Sequence, residues 1–522
     1  MEDLRFDDRD LERLRRHGVA PEEAARQYEL LRNPPGYARL DRACRPGDGI
    51  RILGQEETEE ALAAYERARA ANRFSKFVPA SGAATRMFRA LQWFRNEPRD
   101  LSRRDVEEAA SKGEDRATGL LRFLDALPRF AFFEDLRVHL ARSGGGDAES
   151  LAAAFLYRPV LDALLAPEAM GYASLPKGLI PFHKYGDGPR TAFEEHLVEA
   201  ALYARGADAG VRLHFTISPD QETRFREVLD RACPKGEREG TRYRVGFSAQ
   251  KPSTDTIAVD FEDRIFRDGD GSILFRPGGH GALIENLNEL HGDLVFIKNI
   301  DNVSPAQNGG EAVRSKKTLA GLLVLLQEKI HAHLEVLAGG AEGEELEGIA
   351  AFARTTLHLE TDGIARRGAG ALREFLLRRL DRPIRVCGMV RNQGDPGGGP
   401  FWVRGANGFV TPQIVETSQI DRGSPEQMEI LRSATHFNPV DLVCGARNHR
   451  GEPHDLTRFI DPSAVFISRK SKDGKELKAL ERPGLWNGAM AGWITVFVEV
   501  PSHTFTPVKQ VTDLLKPEHQ AG

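Results

Sequence analysis

From Phe74 onward the chain alternates short β-rich runs with helical stretches, and this constrains its fold more than any other feature. KFVPA, RLHFTIS, TIAVDF and LVFIKNI alternate with FEEHLVEAALYARG, ETRFREVLDRA and ALIENLNEL. Such alternation predicts an α/β protein with a mixed sheet flanked by helices, because a helix is the usual crossover between parallel strands. Two helical blocks, near residues 100–172 and 312–380, read as insertions, and the runs IRVCGMV, TPQIVE, DLVC, AVFIS and ITVFVEV complete the sheet late in the chain. Residues 1–73 read as a helical N-terminal region, from DLERLRRH and ALAAYERARAA with the turn-rich NPPGY and RPGDG between them, so residues 74–522 form the main domain. SGGGD and DPGGGP read as flexible loops.

Charge excludes some function classes. Lys and Arg number 72 against 77 Asp and Glu, a net −5, so no basic excess argues for nucleic acid. No stretch approaches the ~18 apolar residues of a membrane span, and MEDLRFDDRDLERLRR is charged from its second residue, unlike a signal peptide. The expectation is a cytoplasmic protein that binds neither nucleic acid nor membrane. Cys44, Cys233, Cys387 and Cys444 show no C-x-x-C spacing and read as reduced thiols, with no structural metal expected.

Several stretches could carry chemistry. VPASGAATRM, residues 78–87, reads as a strand that ends in a loop of small residues opening a helix, a form that brings backbone N–H groups close to phosphate or serves simply as a turn. LPKGLIPFH, AQKPSTD, RPGGHGAL, FIKNIDNV and TFTPVKQVTDLL also fall at strand ends or in loops, where an open α/β sheet binds its ligands. Taken singly, Lys177 reads equally as a solvated loop lysine. Asp301 ends a buried apolar run, where a carboxylate is costly unless paired or bound to a cation; metal ligation is favoured there over a helix N-cap. His280, between glycines and with no second ligand at metal spacing, reads as a hydrogen-bond donor to a flat ligand. Glu416 ends a strand and could hold vicinal hydroxyls or form a surface ion pair.

The order of these motifs resembles the nucleotidyltransferases that make nucleotide sugars, most closely the UDP-glucose and UDP-sugar pyrophosphorylases, and the chain looks like a member of a bacterial family known only as a domain of unknown function. ASGAATRM is similar to the A-G-G-x-G-T-R-M loop, LPKGLIPFH to the P-K motif, RPGGHGAL to P-P-G-H-G and NIDN to N-x-D-N. QIVETSQI, FNPVDLV and VPSHTFTPVKQVTDLL resemble L-x-E-x-A-Q, F-N-T-N-N-L-W and V-P-R-S-R-F-L-P-V-K-x-T-S-D-L-L. The resemblance implies a nucleotide-diphospho-sugar transferase fold, Rossmann-like and of glycosyltransferase-A type, acting on an NTP and a sugar 1-phosphate with Mg²⁺ on Asp301. It implies catalytic roles for Arg86, Lys177 and Lys509, and triphosphate binding by Ser81, Gly82, Ala83, Ala84 and Thr85. Gln250 with Gly279, His280 and Gly281 would read the base, while Asn299, Glu416, Asn438 and Asp441 would face the sugar. Ser81 and Ala84 stand where the motif has glycines, and Asp441 where it has asparagine. A glycosyltransferase using a nucleotide-sugar donor, or a non-catalytic nucleotide-sugar-binding protein, is the alternative.

Overall fold

The computed structural model describes residues 6–238, 240–394 and 397–520. The chain divides into two units: Met1–Phe77, Ser248–Ile297 and Ser315–Ser502 form the larger, and Val78–Phe247, Lys298–Arg314 and His503–Gly522 the smaller.

The larger unit is built on a mixed, mostly parallel sheet flanked by helices. Its strands run in the order Arg45–Pro46, Gly49–Arg51, Ile494–Glu499, Ile384–Arg391, Asp441–Gly445, Leu294–Lys298 and Phe74–Pro79. Ile384 pairs with Ile494 in parallel register and with Gly445 in antiparallel register, while Leu294 pairs in parallel with Phe74. The apolar runs IRVCGMV and LVFIK are buried along their length, as strands covered on both faces must be. Phe77, Val295, Ile297, Cys387, Met389, Leu442, Cys444 and Phe497 join Leu283, Leu287, Trp486 and Trp493 in one hydrophobic core. The helix Gln55–Ala70 approaches the helix Gly310–Ala338 so closely that a Cβ on Gly321 would stand 1.7 Å from the Ala61 carbonyl oxygen.

The same unit holds a three-stranded sheet (Leu40–Ala43, Gly399–Arg404, Val410–Val415) and a four-stranded one (Phe275–Arg276, Thr256–Val259, Lys475–Glu481, Phe466–Lys472). The N-terminal helices Asp8–His17 and Pro21–Arg32 bury Leu14 and Leu31 against Ile257 and Leu480 of the latter and the neighbouring Ile273. Residues 1–73, read as helical, therefore also carry three short strands. LDRA, RP and GIR have little strand propensity of their own; Gly399–Arg404 supplies the ladder for LDRA, Ile494–Glu499 that for GIR, and GIR in turn that for RP.

In the smaller unit the strands Gly210–Thr216 and Arg242–Ser248 accompany the helices Ala192–Tyr203 and Glu222–Arg238. Thr191 caps the first of these with Glu194 in a reciprocal box, and Pro181–Tyr185 pairs with Gly188–Thr191 as a hairpin. The insertion near 100–172 is helical: Arg103–Ser111, Asp115–Asp125, Phe133–Ser143, Ala148–Ala153 and Tyr157–Leu165. Among the described residues no helix is long and apolar enough to cross a membrane.

Candidate functional site

In the smaller unit three segments far apart in sequence meet at one carboxylate. The buried strand Leu294–Lys298 ends in N-I-D-N, which leaves Asp301 just past the strand. The C-terminal segment is stitched to that motif: Val508 N–H donates to the Asp301 carbonyl at 2.9 Å and Thr506 N–H to Asn302 Oδ1 at 3.0 Å. Lys177 begins a 3-10 turn after Pro176, and its N–H donates to the Gly82 carbonyl at 3.1 Å. Its ammonium donates to Asp301 Oδ2 and to the Val508 carbonyl, both at 2.8 Å. The Lys509 ammonium reaches the same Asp301 Oδ2 at 3.0 Å.

One carboxylate thus serves two ammonium groups. The side chains of Asp301 and Lys177 are 10% and 11% exposed, that of Lys509 55%, so the first two are fixed and the third faces water. Burial would raise the Asp301 carboxyl, but the charges of Lys509 and Lys177 outweigh it and hold the carboxyl below the usual range. Burial is also the largest influence on Lys177 and lowers its ammonium; Asp301 opposes this, while Lys509 and Arg86 add to it. Excess positive charge thus holds the Asp301 carboxyl down and adds to what burial does to Lys177.

The small-residue loop adjoins this cluster, with one difference from expectation. Ala84 N–H donates to the Leu175 carbonyl at 2.8 Å and the Thr85 hydroxyl to the Ala173 carbonyl at 3.1 Å. Pinned in this way, Ala84–Arg86 forms a 3-10 turn, and the α-helix begins only at Arg89. The loop therefore opens a 3-10 turn rather than an α-helix. Ser81, Gly82, Ala83, Thr85 and Arg86 are exposed, and a Cβ on Gly82 would meet nothing within 4 Å, so packing is not what calls for small residues there. Asn299 is half-buried, and its carbonyl accepts the Asn302 N–H at 3.1 Å.

The remaining expected residues lie in the larger unit. Gln250 Nε2 donates to Asp255 Oδ1 at 3.0 Å, and Asp255 Oδ2 is held at 2.9 Å by His17 Nε2 from the N-terminal helix. A carboxylate only accepts, so the amide of Gln250 must turn its NH₂ toward Asp255 and its carbonyl oxygen away. Arg482 binds this loop to the glycine loop, donating from Nε to the Thr254 carbonyl at 2.7 Å and from its N–H to the Gly278 carbonyl at 2.8 Å. His280 stacks on Trp486 at 4.4 Å and accepts the Leu485 N–H at Nδ1 at 3.1 Å, which puts its proton on Nε2. Burial pushes its pKa down to about 4, so at neutral pH it is an uncharged donor. Packing accounts for its neighbour Gly281, where a Cβ would fall 2.0 Å from the Pro483 carbonyl, while Gly279 has φ +74°.

Glu416 and Asn438 meet at Gly398. A Cβ there would stand 3.0 Å from Glu416 Oε1, and the Gly398 carbonyl accepts the Asn438 N–H at 2.9 Å. Asn438 Oδ1 accepts the Val440 N–H at 3.1 Å, whereas Nδ2 has no partner among the described residues although the residue is 3% exposed. Asp441 is committed elsewhere, to a buried ion pair with Lys316. Sequence reading assigned no role to Asp255, which holds Gln250, to His17, which holds Asp255, to Lys316, which pairs with Asp441, or to Asn302, which holds the Thr506 N–H.

Among the described residues no group of three or more His, Cys, Asp or Glu side chains is arranged to hold a metal ion. Asp301 is one carboxylate, the least that Mg²⁺ uses when phosphates and water supply its other ligands, and in this structure both ammonium groups occupy its Oδ2.

No curated protein matches the chain in sequence. Solved structures to which it is similar include the UDP-N-acetylglucosamine pyrophosphorylase of Trypanosoma brucei in complex with an inhibitor, at 12% identity and TM-score 0.44 over 91% of this chain and 72% of that one. Another is a mutant UDP-glucose pyrophosphorylase of Leishmania major in complex with UDP-glucose, at 11% identity and TM-score 0.43 over 98% of this chain and 79% of that one. The match to a family extends over residues 7–520, nearly the whole length, and the chain belongs to that family, described as a domain of unknown function (DUF4301).

Proposed function

We propose that the chain is a nucleotidyltransferase that forms a UDP-sugar and pyrophosphate from UTP and a sugar 1-phosphate. The observation that carries the reading is Asp301 held between Lys177 and Lys509: two ammonium groups on one acid, with the charge of Arg86 felt at Lys177, favour a polyanion. In the reaction a phosphate oxygen of the sugar 1-phosphate attacks the α-phosphorus, the α–β bridging bond breaks and pyrophosphate leaves. The nucleophile is already anionic, so no general base is required, and the task is positioning and charge neutralisation.

Buried and fixed, Lys177 suits the α-phosphate, whose position must not shift between substrate and product. Lys509, exposed and on a longer leash, suits the incoming sugar phosphate. Arg86 and the amides of Ser81–Thr85 suit the departing β- and γ-phosphates. Mg²⁺ on Asp301 would add charge neutralisation between the two reacting phosphates.

The orientation of Gln250 supports uracil as the base. With its NH₂ turned to Asp255 it offers an oxygen, which accepts from the ring N–H of uracil and repels the lone pair at the same position of cytosine. Glu416 and the unpartnered Nδ2 of Asn438 suit an acceptor and a donor for sugar hydroxyls. Asp441, paired with Lys316, has no part in this reading.

The test is pyrophosphate release by purified protein with each NTP, Mg²⁺ and a panel of sugar 1-phosphates. Release that requires both UTP and one sugar phosphate is expected. Absence of release with every pair, under conditions where the protein is folded, would refute the reading.

A further inference from the structure

We propose that Asp255, held by His17 of the N-terminal helix, is the positioning residue that fixes the Gln250 amide and so sets the choice between uracil and cytosine. The proposal rests on the reading above in one respect only, that Gln250 meets the base. In the larger unit Gln250 and Asp255 flank the 3-10 turn Pro252–Thr254, which brings the Gln250 Nε2 within 3.0 Å of Asp255 Oδ1. The turn is fixed from several directions. The Thr254 N–H and hydroxyl both donate to the Lys251 carbonyl, at 2.9 and 2.6 Å, and the Arg482 side chain donates to the Ser253 and Thr254 carbonyls at 3.2 and 2.7 Å. A Cβ on Gly278 would fall 2.4 Å from the Thr254 carbonyl oxygen, so the turn lies against the glycine loop that carries His280.

The end of the N-terminal helix grips Asp255 in turn. His17 is the last residue of Asp8–His17; its ring stacks on Phe275 at 3.9 Å with 3° between the planes, and its Nε2 lies 2.9 Å from Asp255 Oδ2. Gly18 follows in the left-handed region at φ +77°, where a Cβ would stand 3.3 Å from Ser253 Cβ, so the helix end packs on the turn itself. One carboxylate oxygen is thereby given to Gln250 and the other to His17.

The carboxylate makes this lock one-sided. Its oxygens only accept, so Gln250 has a single favourable orientation, NH₂ inward and oxygen toward the base. An amide at the same position removes that bias. When the oxygen of asparagine takes the N–H of His17, its NH₂ faces Gln250, which turns its own oxygen inward and presents NH₂ to the base, the partner that the ring lone pair of cytosine requires. The opposite arrangement needs only the other imidazole tautomer, so both are populated and discrimination is lost.

The experiment measures the binding of UDP and of CDP by calorimetry, without sugar phosphate, to the wild type, Asp255→Asn, Gln250→Ala and the double variant. The wild type should prefer UDP by about 10²-fold and Asp255→Asn by less than about tenfold, with CDP gaining where UDP loses. A merely structural role would lower both affinities together, so a wild-type ratio in Asp255→Asn overturns the proposal. On the Gln250→Ala background Asp255→Asn should leave the ratio as it is; a further change there would mean that Asp255 acts without Gln250 and would also overturn it. A wild type that binds the two nucleotides equally, or neither, overturns it as well. A wild type that prefers UDP yet releases no pyrophosphate with any pair of substrates refutes the transferase reading alone, and the ratio in Asp255→Asn still decides the role of Asp255. If Asp255→Asn does not fold, Asp255→Ala takes its place, with the same fall in the ratio expected and a wild-type ratio overturning the proposal.

Discussion

Replacing Asp301 by Asn separates the charge cluster from ordinary packing, because its effects on stability and on anion binding have opposite signs. The substitution keeps the shape and removes the charge that the ammonium groups of Lys177 and Lys509 share at 2.8 and 3.0 Å. Breaking a buried pair from one side costs about 3–5 kcal/mol. Most of that falls on Lys177, 11% exposed, and little on Lys509, which water screens. The gap between variant and wild type should depend on pH at both ends. The folded pKa of Asp301 is depressed, so its contribution is present above the ordinary carboxylate pKa and is lost as pH falls through the folded value. The folded pKa of Lys177 is also depressed, and further so without Asp301. Rising pH therefore neutralises Lys177 in the variant first and narrows the gap again. Urea unfolding from acid to mildly alkaline pH measures this. Metal-free inorganic pyrophosphate should bind the variant about tenfold more tightly, since the lysines no longer have a competing anion. On the proposed role of Asp301 as metal ligand, turnover with Mg²⁺ should fall at least ~10²-fold, since the substitution removes the anionic ligand. A stability change under about 1 kcal/mol together with unaltered pyrophosphate affinity would refute the cluster as described.

Lys509→Ala should lower kcat by roughly 10²-fold with little loss of stability, and Lys509→Arg should restore part of it, because a planar fork does not reproduce a compact ammonium; steady-state kinetics and thermal unfolding measure both. Glu416→Ala should raise the KM for the sugar phosphate well above any change in the KM for the NTP, and equal changes would favour a structural role. His280 carries a pKa lowered to about 4, so the folded state binds fewer protons than the unfolded one between about 6.5 and 4, and up to about 3 kcal/mol should be lost as pH falls through that window. His280→Gln should flatten that part of the stability profile. Gly321→Ala should cost at least about 2 kcal/mol in urea unfolding, since a Cβ 1.7 Å from a backbone oxygen can be accommodated only by separating two helices.

The strands that could be read in the sequence are those whose burial leaves a mark on composition. IRVCGMV and LVFIK are covered on both faces and are apolar but for the buried Arg385 and Lys298, and both stand where expected. KELKALE hides a strand because Leu477 and Ala479 on one face and Leu480 on the other leave no clean alternation, a pattern equally open to a helix; pairing with Phe466–Lys472 and Thr256–Val259 decides between the two. The opening of the small-residue loop at residues 81–86 misled for a related reason. Small residues before an apolar run signal a helix start, but the amide that would begin the helix is taken by Leu175, a residue 91 positions after Ala84.

The charge cluster was legible only as a sequence of motifs. Nothing local to Lys177 distinguishes it from a solvated lysine, and nothing local to Lys509 announces a partner 208 residues earlier. What makes either residue more than a surface charge is the carboxylate between them, and that proximity is a property of the fold. Asp301 was the exception, because the cost of a carboxylate at the end of a buried strand can be computed before its partner is known. The same reasoning, turned toward His183 in IPFHKY, would have asked what pays for an imidazole inside an apolar strand, and the answer lies 336 residues away at His519. Buried polar side chains within apolar runs therefore carry more information about distant contacts than the exposed lysines of a motif do. An exposed lysine is satisfied by water wherever the chain goes, whereas a buried imidazole or carboxylate requires the fold to supply its partner.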